Sequence, residues 1–117
     1  MKKVDIYGIK NCSTMKKATS WLEEHHIDFQ FHDYKKTGAD EGNIRQWLTT
    51  QPWDQLINRR GTTWRKLSDE DKLDIDDNKA IQLMLSNPSL IKRPVLTLDN
   101  EVYLGFKAEQ YEQFFSE

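Results

Sequence analysis

Residues 4–15 read Val-Asp-Ile-Tyr-Gly-Ile-Lys-Asn-Cys-Ser-Thr-Met, a short alternating segment that leads directly to a cysteine. Because apolar residues alternate with polar ones at its start, the segment predicts a strand over residues 3–8. Gly8 then allows the backbone to turn without a side-chain penalty. Cys12 follows in the loop, immediately before a predicted helix that begins at Ser13.

The residues that follow the cysteine predict one β-α-β unit. From position 13 to about position 26 the apolar side chains fall at helical spacing: Met15, Ala18, Trp21, Leu22 and His25. The alternation of Phe29 and Phe31 with polar neighbours predicts a second strand near 28–33. Strand, helix and strand within about 30 residues form a β-α-β unit, whose crossover should be right-handed.

The middle of the chain predicts helices only, over about residues 39–87. A helix near 40–50 has Asp40 as its N-cap and is broken by Pro52, and residues 53–57 add one further turn. The pattern at 68–71 resembles a capping box and predicts a short helix to about Leu73. Asp77 is expected to cap the last helix of this block, which ends at Asn87-Pro88.

The last third of the chain returns to strands. Residues 95–98 and 102–104 predict an antiparallel hairpin with a tight turn around Asp99-Asn100. An apolar stripe then marks a final helix: Ala108, Tyr111, Phe114 and Phe115. The order βαβ, helices, ββα predicts an α/β fold with a mixed sheet and an all-helical insertion.

Length, charge and hydropathy exclude several classes of protein. The 117 residues fit one domain, 1–117. A net charge of −2 and an isoelectric point near 5.9 argue against a dedicated nucleic-acid binder, which should be basic. No apolar run approaches the ~18 residues of a membrane helix, and Asp5 and Gly8 interrupt any signal-like region at the start. We expect a soluble, cytoplasmic protein that acts as a monomer.

Cys12 is the chain's single cysteine, which excludes an internal disulfide and a cysteine-cluster metal site. The free N–H groups at a helix start stabilise an anion, so a thiol placed there loses its proton more readily. The thiolate is the nucleophile, and Lys10, Lys16 and Lys17 add positive charge nearby. The alternative is a buried cysteine that packs as a small hydrophobe. Because Cys12 has polar neighbours and lies outside the apolar stripe, the reactive interpretation is favoured.

No second cysteine follows Cys12 at Cys-x-x-Cys spacing, because position 15 is Met15. Any disulfide that Cys12 forms must therefore be resolved by an external thiol. Glutathione is the abundant candidate in a reducing cytoplasm. No metal site and no bound cofactor are predicted.

Two groups of basic residues leave alternatives open. Arg93, before Pro94 and the third strand, is either a surface residue or a bidentate partner for an oxyanion or carboxylate. Residues 58–66 form a basic loop that contains Arg59 and Arg60. This loop is either a solvated patch or an anion-binding turn.

Four motifs now stand in order along nearly the whole chain. They are Tyr7-Gly8-Ile9-x-Asn11-Cys12-x-Thr14-x-Lys16-Lys17-Ala18, Arg60-Gly61-Thr62-Thr63-Trp64, Arg93-Pro94-Val95 and Gly105-Phe106-Lys107. Together they resemble the arsenate reductase (ArsC) family, in its YffB-type branch, with Spx regulators as relatives. The resemblance implies a thioredoxin-like fold with a helical insertion, Cys12 as the nucleophile and a cis Pro94. For contacts to substrate and glutathione we expect Asn11, Ser13, Arg60, Arg93 and Lys107.

The sequence departs from the family pattern at two positions. Arsenate reductases of the family have a histidine four residues before the cysteine, where this chain has Gly8. They also have a third arginine after the last strand, where only Lys107 is charged, and lysine does not replace a bidentate arginine. In the middle loop the register leaves Arg59 as an alternative to Arg60.

The predicted function is that of a glutathione-dependent thiol-disulfide oxidoreductase with a single nucleophilic cysteine. The Cys12 thiolate attacks a disulfide, mixed disulfide or oxidised centre, and glutathione, as cosubstrate, resolves the adduct while Arg60 and Arg93 hold its carboxylates. One alternative is arsenate reduction coupled to glutathione and glutaredoxin. The other is an Spx-like regulator that binds RNA polymerase, against which Met15 weighs because those regulators commonly carry Cys-x-x-Cys. Neither a membrane nor a nucleic acid is an expected partner.

Overall fold

The computed structural model describes residues 3–10, 12–99 and 101–116. The chain divides into two compact units. The sheet unit comprises Met1–Asp33 and Arg93–Glu117, and the helical unit comprises Tyr34–Lys92. The predicted insertion, about 39–87, falls inside the helical unit.

The sheet unit contains a mixed four-stranded sheet. Its strands are β1 (Val4–Gly8), β2 (Gln30–Asp33), β3 (Val95–Leu98) and β4 (Glu101–Leu104). The strand order is β2-β1-β3-β4, with β1 parallel to β2 and antiparallel to β3, and with β3 antiparallel to β4. The α/β class, the β-α-β unit and the hairpin predicted from the sequence are confirmed. Asn100, in the predicted hairpin turn, lies outside the described residues.

The helices differ widely in length. They are α1 (Ser13–Glu24), α2 (Tyr34–Thr37), α3 (Glu41–Leu48), α4 (Trp53–Leu56), α5 (Thr62–Lys66), α6 (Asp77–Ser86) and α7 (Ala108–Phe114), with a 3-10 turn at Pro88–Leu90. Asp40 caps α3 as predicted, since its carboxylate accepts a hydrogen bond from the Asn43 N–H at 2.9 Å. No helix in the described part of the chain is long and apolar enough to cross a membrane.

In the sheet unit, side chains from α1, from α7 and from the sheet pack into one hydrophobic core cluster. Because side chains alternate across a strand, Val4 and Ile6 reach this cluster from β1. The buried members are Val4, Ile6, Met15, Ala18, Trp21, Leu22, Leu96, Leu98 and Tyr111. The apolar stripe predicted for α1 is the face that this helix buries.

Several local predictions for the helical unit were wrong. The α2 and α5 helices were not predicted, so Trp64 lies in a helix rather than in a loop. The helix predicted after Ser68 does not form, although the Ser68 hydroxyl accepts a hydrogen bond from the Asp71 N–H at 3.1 Å. Leu73 is 62% exposed, so that segment has no apolar face to bury. The N-cap of α6 is Asp76, whose carboxylate accepts a hydrogen bond from the Lys79 N–H at 2.8 Å, and not Asp77.

Candidate active site around Cys12

Cys12 occupies the N-cap position of α1, with extended backbone angles of φ −106° and ψ 129°. Its carbonyl oxygen accepts a hydrogen bond from the Lys16 N–H at 3.0 Å, which begins the helix. The side chain is half-buried and packs against the core cluster, and it makes no capping hydrogen bond with a described residue. The thiol is therefore held by packing on one side and is accessible on the other.

The first turn of α1 favours negative charge at its start. No acidic residue lies in that turn. The first N–H groups of a helix lack intrahelical acceptors and carry the positive end of its dipole. Lys16 and Lys17 lie one turn further on, and Lys10 lies in the loop between β1 and α1; all are exposed. The start of α1 therefore combines unpaired backbone N–H groups with nearby lysines and lacks an acidic residue in its first turn.

Strand register brings Arg93 and Lys107 to the same edge of the sheet as the Cys12 loop. Tyr7, near the end of β1, pairs with Val95 at the start of β3, and Val95 pairs with Leu104 at the end of β4. The loop after β1, the residues before β3 and the residues after β4 therefore leave the sheet at one edge.

At that edge the Gly105 N–H donates a hydrogen bond to the Pro94 carbonyl at 2.9 Å. Gly105 has a φ of +79°, which a residue with a side chain rarely adopts. The Arg93–Pro94 peptide bond is cis, as the resemblance implies. Arg93 is half-buried, whereas Lys107 is exposed and is the N-cap residue of α7.

Of the other predicted contact residues in this unit, Ser13 is exposed and is the first residue of α1. Asn11 lies outside the described residues. The structure thus collects Cys12, Ser13, Arg93 and Lys107 near one edge of the sheet. Their roles toward substrate stay predictions.

Gly8 and Met15 form a tight contact that the sequence did not reveal. A Cβ atom added to Gly8 would overlap the Met15 sulfur and would lie 3.0 Å from its Cε atom. Met15 is only 2% exposed, so the side chain has little space into which to move. A side chain at position 8 would therefore displace the end of the Met15 side chain, and Met15 stands at the second position of a Cys-x-x-Cys spacing.

Arg59 and Arg60 lie in the helical unit, where both are exposed on a cleft of about 600 Å³. The Arg60 N–H donates a hydrogen bond to the Asn58 side-chain oxygen at 3.1 Å. The Arg59 guanidinium carbon lies 6.0 Å from the centre of the Trp53 ring, within reach of a cation–π contact. Trp64 and Lys92 also line this cleft, and neither was predicted to do so. The basic loop 58–66 indicated part of this cleft, whereas the contribution of Lys92 depends on packing that no periodic pattern shows.

The histidines and carboxylates of the described residues do not form a metal-binding group of three or more. Asp5 and His32 do form a pair on neighbouring strands. Asp5 is 9% exposed, and its carboxylate oxygen lies 2.8 Å from the His32 Nε2 atom. The His32 ring also stacks on Tyr7, with 4.4 Å between ring centres.

Comparison with known proteins places the chain in a family. The ArsC family model matches residues 7–114. An uncharacterised protein of Haemophilus influenzae is 41% identical over 113 residues, which cover 97% of this chain and 99% of the relative. The global transcriptional regulator Spx of Streptococcus pyogenes is 28% identical over 116 residues, with 97% and 85% covered.

Solved structures support the same family assignment. The YFFB protein is 49% identical, with a TM-score of 0.92 over 95% of this chain and 97% of its own. An arsenate reductase (ArsC) related protein from Brucella melitensis is 53% identical, with a TM-score of 0.76 over 98% and 96%. A glutaredoxin from Archaeoglobus fulgidus, 18% identical with a TM-score of 0.50 over 100% and 89%, shares the fold alone. The predicted thioredoxin-like fold is confirmed, and the chain belongs to the ArsC family.

Proposed function

We propose that this chain is a glutathione-dependent thiol reductase in which the Cys12 thiolate attacks the sulfur of a disulfide or mixed disulfide. The observation that carries the proposal is the position of Cys12 at the N-cap of α1. There it is half-buried against the core, and no acidic residue lies in the first turn. A thiolate at a helix N-terminus is a stabilised nucleophile. Membership of the ArsC family supports the same chemistry.

The reaction balances with glutathione as the only reductant. The Cys12 thiolate attacks the glutathione sulfur of a mixed disulfide, so that a Cys12–glutathione disulfide forms and the substrate leaves as a thiolate. A second glutathione thiolate attacks this disulfide, which releases glutathione disulfide and returns the Cys12 thiolate. An external thiol is needed because the chain has one cysteine and Met15 stands at the Cys-x-x-Cys position.

The proposed roles of the other residues follow from charge and placement. Arg93 and Lys107, at the sheet edge near Cys12, provide cationic partners for the carboxylates of glutathione. Ser13 and Asn11 flank the nucleophile in the sequence. From the helical unit, Arg60 is the proposed second arginine, and Arg59 is the alternative that the motif register leaves open.

The decisive measurement is the reduction of a small mixed disulfide with glutathione, coupled to glutathione reductase. We expect Cys12→Ser to lower turnover at least ~10³-fold, because the nucleophile is removed. A matched control adds Ser20→Cys to the Cys12→Ser variant, which returns a thiol to an exposed position on the same helix. This control should not restore turnover. Turnover that is unchanged in Cys12→Ser would contradict the proposal.

Arsenate reduction is a second candidate, which the family and the name of the Brucella relative favour. Gly8 and Lys107 stand where that activity has a histidine and an arginine in the family pattern. NADPH oxidation that depends on arsenate, glutathione and glutaredoxin would support it. Disulfide reduction without any arsenate-dependent oxidation would exclude it.

A third candidate, an Spx-like regulator, is favoured by the 28% identity to Spx. Met15 replaces the second cysteine of the Cys-x-x-Cys switch that such regulators commonly have. Co-purification with RNA polymerase would support this candidate, and its absence together with reductase activity would exclude it.

A further inference from the structure

A narrow groove runs along the helix that Cys12 begins. One wall is the face of α1 with Met15 and Lys16, and the other consists of Phe29 and Phe31, before and within β2. Lys10 also lines the groove, and its volume is about 320 Å³, at the lower end of the range for small-ligand pockets. All the residues that line this α1–β2 groove belong to the sheet unit.

The groove lies beside the Cys12 loop, because Lys10 and Lys16, which line it, flank Cys12 in the sequence. Lys16, Thr19 and Glu23 line it, and their i, i+3 and i+7 spacing places them on one face of α1, which begins directly after Cys12. At a rise of 1.5 Å per residue, the face from Cys12 to Glu23 is about 16 Å long. An extended peptide covers that length with about five residues.

The interior of the groove suits an apolar side chain. Phe29 and Phe31 are half-buried, and Met15, which is flexible and polarisable, forms part of the wall. The Thr19 hydroxyl donates a hydrogen bond to the Met15 carbonyl at 3.0 Å, so it does not require a partner from a ligand. An apolar group bound here would be desolvated without displacing a needed hydrogen bond.

The charges along the groove are ordered. Lys10 and Lys16 lie within four residues of Cys12, whereas Glu23 lies at the far end of the α1 face. Charge complementarity therefore favours an occupant that is acidic close to its reacting sulfur and basic at a distance from it. Glutathione supplies carboxylates but has no apolar side chain, so it does not fill the groove.

We infer that the α1–β2 groove binds the peptide segment that carries the oxidised cysteine of a glutathionylated protein. The segment has an acidic residue beside that cysteine and a large apolar residue three to five positions away. This inference rests on the proposed function and names its substrate class. While the segment lies in the groove, Cys12 attacks the glutathione sulfur, the bond between glutathione and the peptide cysteine breaks, and the peptide leaves as a thiolate.

The test uses glutathionylated peptides of matched composition. The first carries an acidic residue beside the cysteine, then leucine, then lysine; the second has serine in place of leucine; the third has the two charges exchanged. We expect kcat/KM to fall about tenfold from the first to the second, the usual cost of losing one apolar side chain from a pocket. For the third peptide, kcat/KM should be about fivefold lower than for the first, as expected for reversing exposed charge contacts.

A pair of variants assigns the effect to the groove. Lys16→Glu reverses a charge inside the groove, and Lys17→Glu makes the same change at the next residue of α1, outside it. Both bring one negative charge near Cys12, so each peptide rate is divided by the same variant's rate on a small disulfide. Lys16→Glu should abolish the preference of the first peptide over the third, while Lys17→Glu should keep it.

The outcomes separate the two proposals. Equal rates for the three peptides, with a small disulfide still reduced, would contradict peptide binding in the groove. That result would remain consistent with the proposed reductase function. Loss of the charge preference in both variants would also overturn the groove. A direct binding measurement with a fluorescent first peptide that has serine instead of cysteine needs no turnover. Binding that weakens in Lys16→Glu but not in Lys17→Glu supports the groove, and absence of binding overturns it.

Discussion

The sheet unit and the helical unit bring their functional residues together by different means. In the sheet unit, strand register joins residues that are far apart in sequence, such as the Cys12 loop and Arg93, at one edge. In the helical unit, side chains mostly cap the backbone two or three residues away, as Asp40, Asn58 and Asp76 do. Cys12 is therefore held by long-range packing, and the basic cleft is built on local turns.

Because of this difference, a single substitution is expected to have different consequences in the two units. A substitution in the sheet unit alters contacts that set the geometry at the thiol. A substitution in the helical unit alters a charge or a cap and leaves the neighbouring elements with their own local hydrogen bonds. Each of the following predictions tests one side of this contrast.

Among these predictions the largest effect is expected at Arg93. Because it lies at the same sheet edge as Cys12, we expect Arg93→Ala to raise KM for glutathione about 10- to 100-fold, as loss of a charge-assisted hydrogen bond does. Arg93→Lys should recover only part of this, since lysine cannot bind bidentately. Steady-state kinetics at varied glutathione measure the effect, and Lys3→Ala, at the opposite end of β1, controls for loss of an exposed positive charge in the same unit. An unchanged KM would remove Arg93 from the site.

A smaller effect, about tenfold on KM for glutathione, is expected for Arg60→Ala in the helical unit. Arg59→Ala is the matched comparison, because that guanidinium already lies over the Trp53 ring and should change KM less. Kinetics of the two variants, measured side by side, decide between Arg59 and Arg60, the alternative that the sequence leaves open. The reverse order would assign the role to Arg59, and no effect in either variant would restrict glutathione binding to the sheet unit.

Two glycine-to-alanine substitutions, one in each unit, test the contrast through the free energy of unfolding. Gly8→Ala should lower the free energy of unfolding by about 1–3 kcal/mol, because the new Cβ overlaps the Met15 sulfur in a packed region. Gly42→Ala in α3 should change it less, because the gain of about 0.5–1 kcal/mol in helix propensity is opposed by a 3.1 Å approach of the new Cβ to the Asp40 Oδ2 atom that caps α3. Urea denaturation of both variants measures this. A neutral Gly8→Ala would show that Met15 can repack.

The smallest effect concerns Tyr111, which is 1% exposed and whose hydroxyl has no hydrogen-bond partner among the described residues. Burial raises the pKa of Tyr111 above its usual value of 10. A raised folded-state pKa means that stability is complete below pH 10 and falls as the pH rises further, because only the unfolded chain ionises readily. Tyr111→Phe removes this hydroxyl, so it should raise the free energy of unfolding by about 1 kcal/mol at pH 7. The increase should be larger at pH 11, and thermal unfolding measures both.

Tyr103→Phe is the comparison for this titration. Burial, together with the hydrogen bond to Glu101 and its charge, raises the pKa of Tyr103 to about 12. Tyr103 donates that hydrogen bond, so its phenylalanine variant loses a contact that Tyr111→Phe does not. If Tyr111→Phe is destabilising at pH 7, the buried hydroxyl has a partner.

Much of the fold could be predicted because its elements carry their own signals. The apolar stripe of α1, the alternation in β1 and the Asp40 cap each follow from residues within one element. The α2 and α5 helices have only four and five residues, too few for a periodic pattern to be visible. The helix predicted at residues 68–73 had a cap but no apolar face, and tertiary burial rather than capping decides whether so short a helix forms.

The candidate site was predictable to a different degree in the two units. Cys12 could be identified because its position relative to a strand and a helix is a local property. The meeting of its loop with Arg93 and Lys107 depends on strand register, which connects residues more than 80 positions apart. The contact between Gly8 and Met15 and the groove at Phe31 depend on packing, which no spacing rule encodes. The roles of Asn11, Ser13 and Arg60 stay predictions.

The contact between Gly8 and Met15 also constrains how the sequence can change over evolutionary time. A side chain at position 8, including the histidine of the arsenate reductase pattern, needs either a smaller residue at position 15 or a different Met15 side-chain conformation. A cysteine at position 15 would create a Cys-x-x-Cys pair and also free space above Gly8. Positions 8 and 15 are therefore coupled by volume, and a change at one of them alters which side chains the other can accommodate.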